Sequence, residues 1–285
     1  IEDYDTSRRF HGVVRESTPI TPPGLGEEVR HIVLEVDQKG IDFDRFETVG
    51  VLADGPEEMG SPEYLRLYAI AGFEPVGAAG KPLIELCVRR CFYTDEFNGE
   101  RYPGWVSNLL CDLEEGESID LTGPFGNAFS IPQDRSANIV MIGMGTGIAP
   151  FRTLVQRMYA QDEGGWQGKV RLFHGARTGL ELLYMNEVDK DLGLYMKEET
   201  FRAIEALSPR PHFDDEPAID DALAAHKDEV WDMISAPGAY VYIAGLRQIA
   251  DQLEDAFVEM AGSDAAWAAK KMELVANHRW RALLY

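Results

Sequence analysis

The chain is poor in cysteine and in basic residues, and it contains no long apolar run. Three cysteines among 285 residues, Cys87, Cys91 and Cys111, do not indicate a disulfide framework, and their spacing matches no ferredoxin pattern for an iron–sulfur cluster. No apolar stretch approaches the ~20 residues that cross a bilayer, so membrane insertion is not expected. With 27 basic against 49 acidic residues, the net charge is −22, which argues against nucleic acid and anionic membranes as partners.

The remaining composition, 45% hydrophobic and 10% aromatic, is typical of a globular protein. At roughly 150 residues per domain, the length predicts two domains. The start, Ile1-Glu-Asp-Tyr-Asp, lacks the basic and apolar regions of a signal peptide, so we expect a cytoplasmic protein. Because the first residue is not Met, a targeting peptide removed from a longer precursor stays open as an alternative. No metal site is predicted.

The two halves of the sequence differ in periodicity. Residues 10–130 contain short β-branched and apolar stretches between Gly, Pro and Asp turns, which indicates an antiparallel barrel or sandwich. One helix is predicted within this half, with Ser107 as a candidate N-cap. The predicted strands are 11–15, 31–36, 48–52, 64–70, 83–93 and 118–121.

After about Pro132, predicted strands and helices alternate, which is typical of a doubly wound parallel sheet with ligands at the carboxyl ends of its strands. The predicted strands are 139–143, 170–174, 201–207 and 240–244, and the predicted helices are 150–159, 181–189, 217–234 and 247–260. We therefore predict a two-domain α+β protein. Residues 1–132 form an antiparallel β-barrel, and residues 133–285 form a Rossmann-like α/β domain.

A glycine-rich segment, Gly145-Thr146-Gly147, lies between a predicted strand and a predicted helix. Glycines let the backbone approach a pyrophosphate, whose charge the helix N-terminus then stabilises. The segment departs from the strict G-x-G-x-x-G pattern, because Ile148 occupies the last position. It is compatible with a dinucleotide-binding loop or with a tight strand–helix turn.

A second group of candidate residues lies in the first half. Arg66 and Ser107 are suited to phosphate groups and Tyr68 to the face of a ring, so the three together could hold a flavin dinucleotide. Taken alone, Tyr68 is also compatible with an ordinary strand aromatic that packs at an edge or in a core.

Six segments in this order resemble the plant-type ferredoxin–NADP reductase family, from about Phe10 to the last residue. They are Arg66-x-Tyr68, Leu86-Cys-Val-Arg-Arg, Gly104-x-x-Ser107-Asn-x-Leu-Cys-Asp-Leu, Gly145-Thr-Gly-Ile-Ala-Pro-Phe-Arg152, Tyr242-Ile-Ala-Gly245-Leu and Tyr285. The resemblance implies an FAD-binding barrel followed by an NAD(P)-binding domain. It also implies an oxidoreductase that moves electrons between NADH or NADPH and a one-electron carrier, either ferredoxin or an iron–sulfur partner subunit.

The resemblance also implies roles for individual residues. FAD would be bound through Arg66, Tyr68, Ala69, Cys87, Val88, Arg89, Tyr93, Gly104, Val106 and Ser107. The pyridine nucleotide would be bound through Gly145, Thr146, Gly147, Ser208 and Arg210. Tyr68 and Tyr285 are the candidate catalytic residues: Tyr68 would lie against the isoalloxazine, and Tyr285 would cover its other face and must move to admit nicotinamide.

Three positions depart from the family pattern near the centre of hydride transfer. Ala69, Ala244 and Leu283 stand where the family has serine, cysteine and glutamate. Loss of positioned polar groups slows a reaction when they contact the transition state. The alternative function is therefore a flavin-carrying or regulatory subunit with weakened nicotinamide chemistry.

The distribution of charge affects two expectations: whether the protein uses NADH or NADPH, and which electron carrier it meets. Carboxylates at Asp214, Asp215 and Glu216 would repel a 2′-phosphate, which favours NADH, although Arg210 keeps NADPH open. The net charge makes an acidic ferredoxin a weaker expectation than in the family, unless arginines form a local basic patch. The candidates for that patch are Arg89, Arg90, Arg101, Arg279 and Arg281.

Overall fold

The computed structural model describes residues 4–24, 27–37, 48–55, 63–75, 77, 80–126, 129–160, 165–211, 216–247 and 249–285. It divides into two compact units, Ile1–Asn127 and Ala128–Tyr285. Within the described ranges, no helix is long and apolar enough to cross a membrane.

The first unit is a closed six-stranded antiparallel barrel with strand order β1-β2-β5-β4-β3-β8. A two-stranded hairpin, β6–β7, and one helix, α1, are inserted between β5 and β8. In chain order the elements are β1 (Arg9–Pro19), β2 (Val29–Val36), β3 (Thr48–Asp54), β4 (Glu63–Glu74), β5 (Leu83–Arg89), β6 (Phe92–Thr94), β7 (Arg101–Pro103), α1 (Trp105–Asp112) and β8 (Ser118–Thr122).

Alternation of apolar side chains along the strands fills the barrel. Ile32 and Leu34 on β2, and Ile84, Leu86 and Val88 on β5, follow the two-residue period of a strand and are all completely buried. On α1, apolar residues at helical spacing pack onto the same core: Val106, Leu110 and Cys111. This packing fixes α1 against the barrel, where it contacts β3, β4 and β5.

The second unit contains a five-stranded, all-parallel sheet of order β11-β10-β9-β12-β13, flanked by helices. Its elements are β9 (Ile139–Met144), α2 (Ile148–Met158), β10 (Val170–Ala176), β11 (Phe201–Leu207), α3 (Ile219–Ala225), α4 (Lys227–Ser235), β12 (Tyr240–Gly245), α5 (Ile249–Ala261), α6 (Asp264–Ala276) and β13 (Trp280–Leu284). All seven residues of β10 are buried, as expected for a central parallel strand. The fold class predicted from sequence is confirmed.

Several predicted elements differ from the structure. The segment 181–189 is not an α-helix: Tyr184 has φ 61°, and the Asn186 carboxamide accepts hydrogen bonds from two backbone amides and donates to a carbonyl. The helix predicted over 217–234 divides into α3 and α4 at His226, where φ is −118°. The strand predicted over 83–93 is interrupted before β6. The elements β7, α6 and β13 were not predicted, and β6 was predicted only as the end of the strand over 83–93.

Candidate functional site

The start of α1 forms the first candidate site. Gly104 precedes the helix, and no side chain caps the helix N-terminus. A Cβ at Gly104 would lie 3.0 Å from the Ser107 Oγ and 3.2 Å from the Cys91 carbonyl oxygen, so any side chain there would force its neighbours to shift and glycine fits this close approach best. An uncapped helix start carries backbone N–H groups and partial positive charge that suit a phosphate.

Ser107 lies inside the first turn of α1 and is not its N-cap, which corrects the sequence prediction. Its Oγ accepts a hydrogen bond from the Cys91 amide at 3.2 Å and donates one to the Gly104 carbonyl at 3.2 Å. The hydroxyl therefore links the segment after β5 to the helix start. Val106, one residue earlier, is buried in the barrel core.

Arg66 and Tyr68 lie two residues apart on β4, so their side chains share one face of the strand, and Ala69 lies on the other. The Arg66 side chain is exposed and donates to the Leu65 carbonyl at 3.0 Å, and no carboxylate within the described ranges pairs with it. Burial raises the pKa of Tyr68 well above its ordinary value; nearby Cys91 and Cys111 add to the rise and Arg66 opposes it. A charged guanidinium thus lies near a tyrosine ring.

The end of β5 and the β6–β7 hairpin border the same helix start. Cys87 and Val88 are buried, and Arg89 forms an ion pair with Glu27 at 3.5 Å. Tyr93 is half exposed, and its ring stacks on Tyr102 of β7 with centroids 5.4 Å apart and an interplanar angle of 22°. The sequence analysis missed Tyr102. The Asn98-Gly99 turn signal between the two tyrosines could have indicated a hairpin that pairs them.

In the second unit, the loop after β9 forms the other candidate site. Gly145 has φ 54°, and a Cβ at Gly147 would lie 2.4 Å from the Ala244 carbonyl oxygen, so both positions require glycine. The loop leads directly into α2, whose start has neither a side-chain cap nor an acidic residue. From β9 the chain continues to β10 and β11 on one side of the sheet and then to β12 and β13 on the other side. The loop after β9 therefore lies at the topological switch point, where open parallel sheets bind ligands.

Thr146 and Tyr285 meet within this unit. Their hydroxyl oxygens lie 3.0 Å apart, and the Tyr285 amide donates to the Gly245 carbonyl at 3.1 Å. Two of the predicted site residues, far apart in sequence, are therefore neighbours: Thr146 follows β9, and Tyr285 follows β13 and bonds to the end of β12. Ala244 is completely buried on β12 and aligns with Leu283 on β13.

The carboxyl end of β11 holds the residues predicted to face the ribose. Ser208 is buried, and its amide donates to the Ala176 carbonyl at 3.2 Å, whereas Arg210 is exposed. Asp214 and Asp215 lie outside the described residues. Glu216 is exposed and accepts a hydrogen bond from Gln252.

The arginines considered as a basic patch include two that are largely buried and paired with acids. Arg90 is 18% exposed and bonds to Glu28 and Asp112, and Arg279 is 13% exposed and pairs with Glu273. Their charges are therefore offset locally. This weakens the sequence-based suggestion of a basic patch.

His174 on β10 is a buried histidine whose two ring nitrogens have no hydrogen-bond partner among the described residues. Burial lowers the pKa of His174 to about 3, so the ring is neutral near pH 7. The histidine belongs to the interior of the sheet and is not assigned a catalytic role.

Comparison with known proteins agrees with this arrangement. Residues 141–255 match the family of oxidoreductase NAD-binding domains. The chain is 34% identical to ferredoxin–NADP reductase leaf isozyme 1 of indica rice, over 99% of this chain and 78% of that protein. It is 33% identical to the chloroplastic ferredoxin–NADP reductase of spinach, over 94% and 73% of the two chains. The chain therefore belongs to the plant-type ferredoxin–NADP reductase family.

Solved structures show the same fold. The ferredoxin–NADP+ reductase of Plasmodium falciparum superimposes with a TM-score of 0.72 at 20% identity, covering 99% of this chain and 98% of that one. A complex of its H286K mutant with 2′P-AMP superimposes with a TM-score of 0.73 at 19% identity, with the same coverage.

Proposed function

We propose that the chain is an FAD-dependent ferredoxin–NAD(P) reductase. It transfers electrons between a pyridine nucleotide and a one-electron carrier such as ferredoxin or an iron–sulfur partner subunit. The observation that carries the proposal is the exposed Arg66 guanidinium, without a carboxylate partner in the described ranges, on a strand that contacts α1, a helix whose start has no side-chain cap. This is the donor set that a pyrophosphate dianion requires.

The residues of the first unit fit FAD. Arg66, Ser107 and the first amides of α1 would bind the pyrophosphate, and Tyr68 and Ala69 would lie along the isoalloxazine. Bound FAD supplies the redox chemistry, because a flavin accepts two electrons together and passes them on singly. The backbone of Cys87, Val88 and Arg89 would border the cofactor, and Tyr93 would stack on the adenine.

The second unit would bind the pyridine nucleotide at the loop after β9. The amides of Gly145–Gly147 and of the α2 start would hold the pyrophosphate, and Thr146 would orient the nicotinamide end. Ser208 and Arg210 would face the adenosine ribose. Tyr285 would shield the reacting centre from water and leave when nicotinamide enters. In this proposal residues 1–132 are the FAD-binding domain and residues 133–285 the NAD(P)-binding domain.

A second candidate function rests on three side chains. Ala69, Ala244 and Leu283 replace polar groups of the family pattern, and buried Ala244 offers no hydrogen bond to a reacting atom. In this case the chain would be a flavin-carrying electron-transfer or regulatory subunit. We place either function in a reducing aqueous compartment, with the cytoplasm as the first expectation, although the curated relatives from rice are chloroplastic.

One experiment separates these functions. We expect purified protein to be yellow and to lose its flavin absorbance within seconds of anaerobic mixing with NADH or NADPH. A yellow protein that stays oxidised for minutes would favour the second function. A colourless protein that takes up no added FAD would exclude both. Arg66→Gln should lose FAD, whereas Arg9→Gln, which removes a barrel arginine paired with Glu63, should retain it.

A further inference from the structure

Arg90 lies at the centre of a polar cluster beside the start of α1. Its Nε donates to the Glu28 Oε2 at 2.7 Å, and its Nη1 donates to the Asp112 Oδ1 at 2.7 Å and to the Asn108 Oδ1 at 3.3 Å. We call these four side chains the Arg90 cluster. One guanidinium thus connects the start of β2 to two successive turns of α1.

The backbone around Arg90 is held at the same place. The Arg90 amide donates to the Glu28 carbonyl at 2.9 Å. The carbonyl of Cys91 accepts hydrogen bonds from the Gly104 amide and from the Asn108 Nδ2, each at 2.8 Å. Since the Cys91 amide donates to Ser107, both polar groups of the Cys91 backbone bond to the helix start.

The Arg90 cluster combines a largely buried arginine with carboxylates that keep it charged. Arg90 is 18% exposed, whereas Asp112 is 67% exposed. Burial alone would lower the pKa of Arg90, but the hydrogen bonds to Glu28 and Asp112 raise it overall, so the group stays charged. Burial also acts to raise the pKa of Glu28, but hydrogen bonds from Arg30 and Arg90 hold it below its ordinary value. The cluster is a set of charge-assisted hydrogen bonds, which are stronger than neutral ones.

We propose that Arg90 is a positioning residue for the dinucleotide part of FAD. It holds the Arg89–Cys91 backbone against α1, so that the Ser107 hydroxyl and the first helical amides keep the spacing that a pyrophosphate needs. The inference rests on the proposed function. In this proposal Arg90 acts through the Cys91 backbone and Ser107 and not on the phosphate, because its Nε and Nη1 are already bonded to carboxylates.

If Arg90 only stabilised the barrel, its loss would have no specific effect on FAD binding. Arg30 provides a matched control for this comparison. Arg30 donates to the other oxygen of Glu28 at 2.7 Å, is 19% exposed and also bonds to Ser17. It matches Arg90 in charge, in burial and in its ion pair with Glu28, but among the described residues it makes no bond to α1. Loss of either arginine should therefore affect barrel stability alike, and only loss of Arg90 should affect the helix start.

The test compares the wild type, Arg90→Gln, Arg90→Lys and Arg30→Gln as full-length apoproteins titrated with FAD, with thermal midpoints measured in parallel. Arg90→Gln should raise the FAD Kd about tenfold, as expected for the loss of charge-assisted hydrogen bonds. The FAD Kd of Arg90→Lys should lie between those of Arg90→Gln and the wild type. The FAD Kd of Arg30→Gln should stay within about twofold of the wild-type value. The KM for the pyridine nucleotide should be unchanged in all reloaded variants.

Equal FAD affinities for Arg90→Gln and Arg30→Gln would overturn the proposal. If Arg90→Gln does not fold, the exposed Asp112→Asn substitution replaces it, with an expected rise in FAD Kd of about threefold. An unchanged Kd in Asp112→Asn would then count against the cluster. A wild-type protein that binds no FAD would instead refute the proposed function itself, so the two failures are distinguishable.

Discussion

The hydroxyl groups of Thr146 and Tyr285 lie 3.0 Å apart at the carboxyl end of the parallel sheet, where Thr146 follows β9 and Tyr285 follows β13. The backbone of Tyr285 is held as well, since its amide donates to Gly245 and its carbonyl accepts from Arg247. The tyrosine ring is therefore restrained at both ends by the nucleotide-binding half of the protein.

Removing the Tyr285 hydroxyl should make the ring easier to displace. We expect Tyr285→Phe to lower the KM for the pyridine nucleotide about fivefold, with kcat changed less than twofold, because one hydrogen bond contributes about 1 kcal/mol. Steady-state kinetics measure both parameters. Tyr240→Phe, another tyrosine of the same sheet, should leave both unchanged. An unaltered KM in Tyr285→Phe would contradict a restraining role for this hydrogen bond.

The adenine end of FAD should depend on the tyrosine pair of the hairpin. Tyr102→Ala removes the ring that supports Tyr93 and should raise the FAD Kd about fivefold, since an aromatic pair contributes roughly 1 kcal/mol. Tyr102→Phe keeps the stack and loses only the two hydrogen bonds of the hydroxyl, to Glu100 and from Asn98, so its FAD affinity should match the wild type. FMN, which has no adenine, should bind equally to all three proteins. A parallel loss of FMN affinity would point to general damage to the barrel.

Nucleotide preference should follow the acidic segment after β11. We predict a higher kcat/KM with NADH than with NADPH, and Glu216→Gln should improve NADPH use about twofold by removing one exposed repulsive charge. The control is Glu205→Gln, which removes an exposed carboxylate from β11. A preference of about tenfold or more for NADPH in the wild type would show that Arg210 determines the choice despite the acids.

The rate of electron transfer to a carrier should depend on salt concentration, and the net charge of −22 should determine whether added salt raises or lowers that rate. Opposite charges accelerate association at low ionic strength, whereas 0.1 M salt largely screens charges that are more than about 10 Å apart. The rate with an acidic ferredoxin should therefore change little or increase with added salt, whereas the rate with a basic cytochrome should fall. A steep fall with the ferredoxin would reveal a basic patch despite the pairing of Arg90 and Arg279.

Stability of the second unit should fall in acid because of His174. The neutral form is favoured in the folded protein, where the pKa is about 3, and protonation near the ordinary value of 6.5 favours the unfolded chain. His174 stabilisation is therefore complete above pH 6.5 and is lost progressively as the pH falls toward 3. Between pH 7.5 and pH 5 the wild type should lose about 2 kcal/mol more than His174→Leu.

Denaturant titrations followed by tryptophan fluorescence measure this difference, since four of the five tryptophans lie in the second unit. His278→Asn is the control, because His278 is exposed and has φ 57°, a conformation that asparagine tolerates. It should retain the pH dependence of the wild type. Equal slopes for the wild type and His174→Leu would assign the acid sensitivity to other groups.

The broad architecture was predictable because both periodicities are strong. Two-residue alternation marks the barrel strands, and the continuous apolar run before Gly145 marks a strand buried on both faces. The predictions of secondary structure that were wrong depended on the conformation of single residues. Tyr184 in a left-handed conformation and the Asn186 carboxamide end a helical pattern that hydrophobic spacing alone supports. Likewise, Gly104 allows α1 to begin before Ser107, although serine is the better intrinsic cap.

Only some residues of the candidate FAD and nucleotide sites could be predicted from the sequence, for a related reason. Arg66, Tyr68 and the Gly145–Gly147 loop are recognised from short local patterns. The side-chain partners of Arg90 lie 18 to 62 residues away, and the partner of Tyr102 lies across a hairpin, so no local pattern reports these pairings. Resemblance to a family identifies groups that contact ligands more readily than groups that hold those contacts in place.

Closure of the barrel has a consequence for association between copies of the protein. A sheet closed on itself presents no row of unpaired backbone groups, so the six barrel strands offer nothing for a second chain to extend. The open sheet of the second unit ends at β11 and β13, whose outer edges retain that capacity. Aggregation that begins with strand pairing at high concentration should therefore start at those two strands.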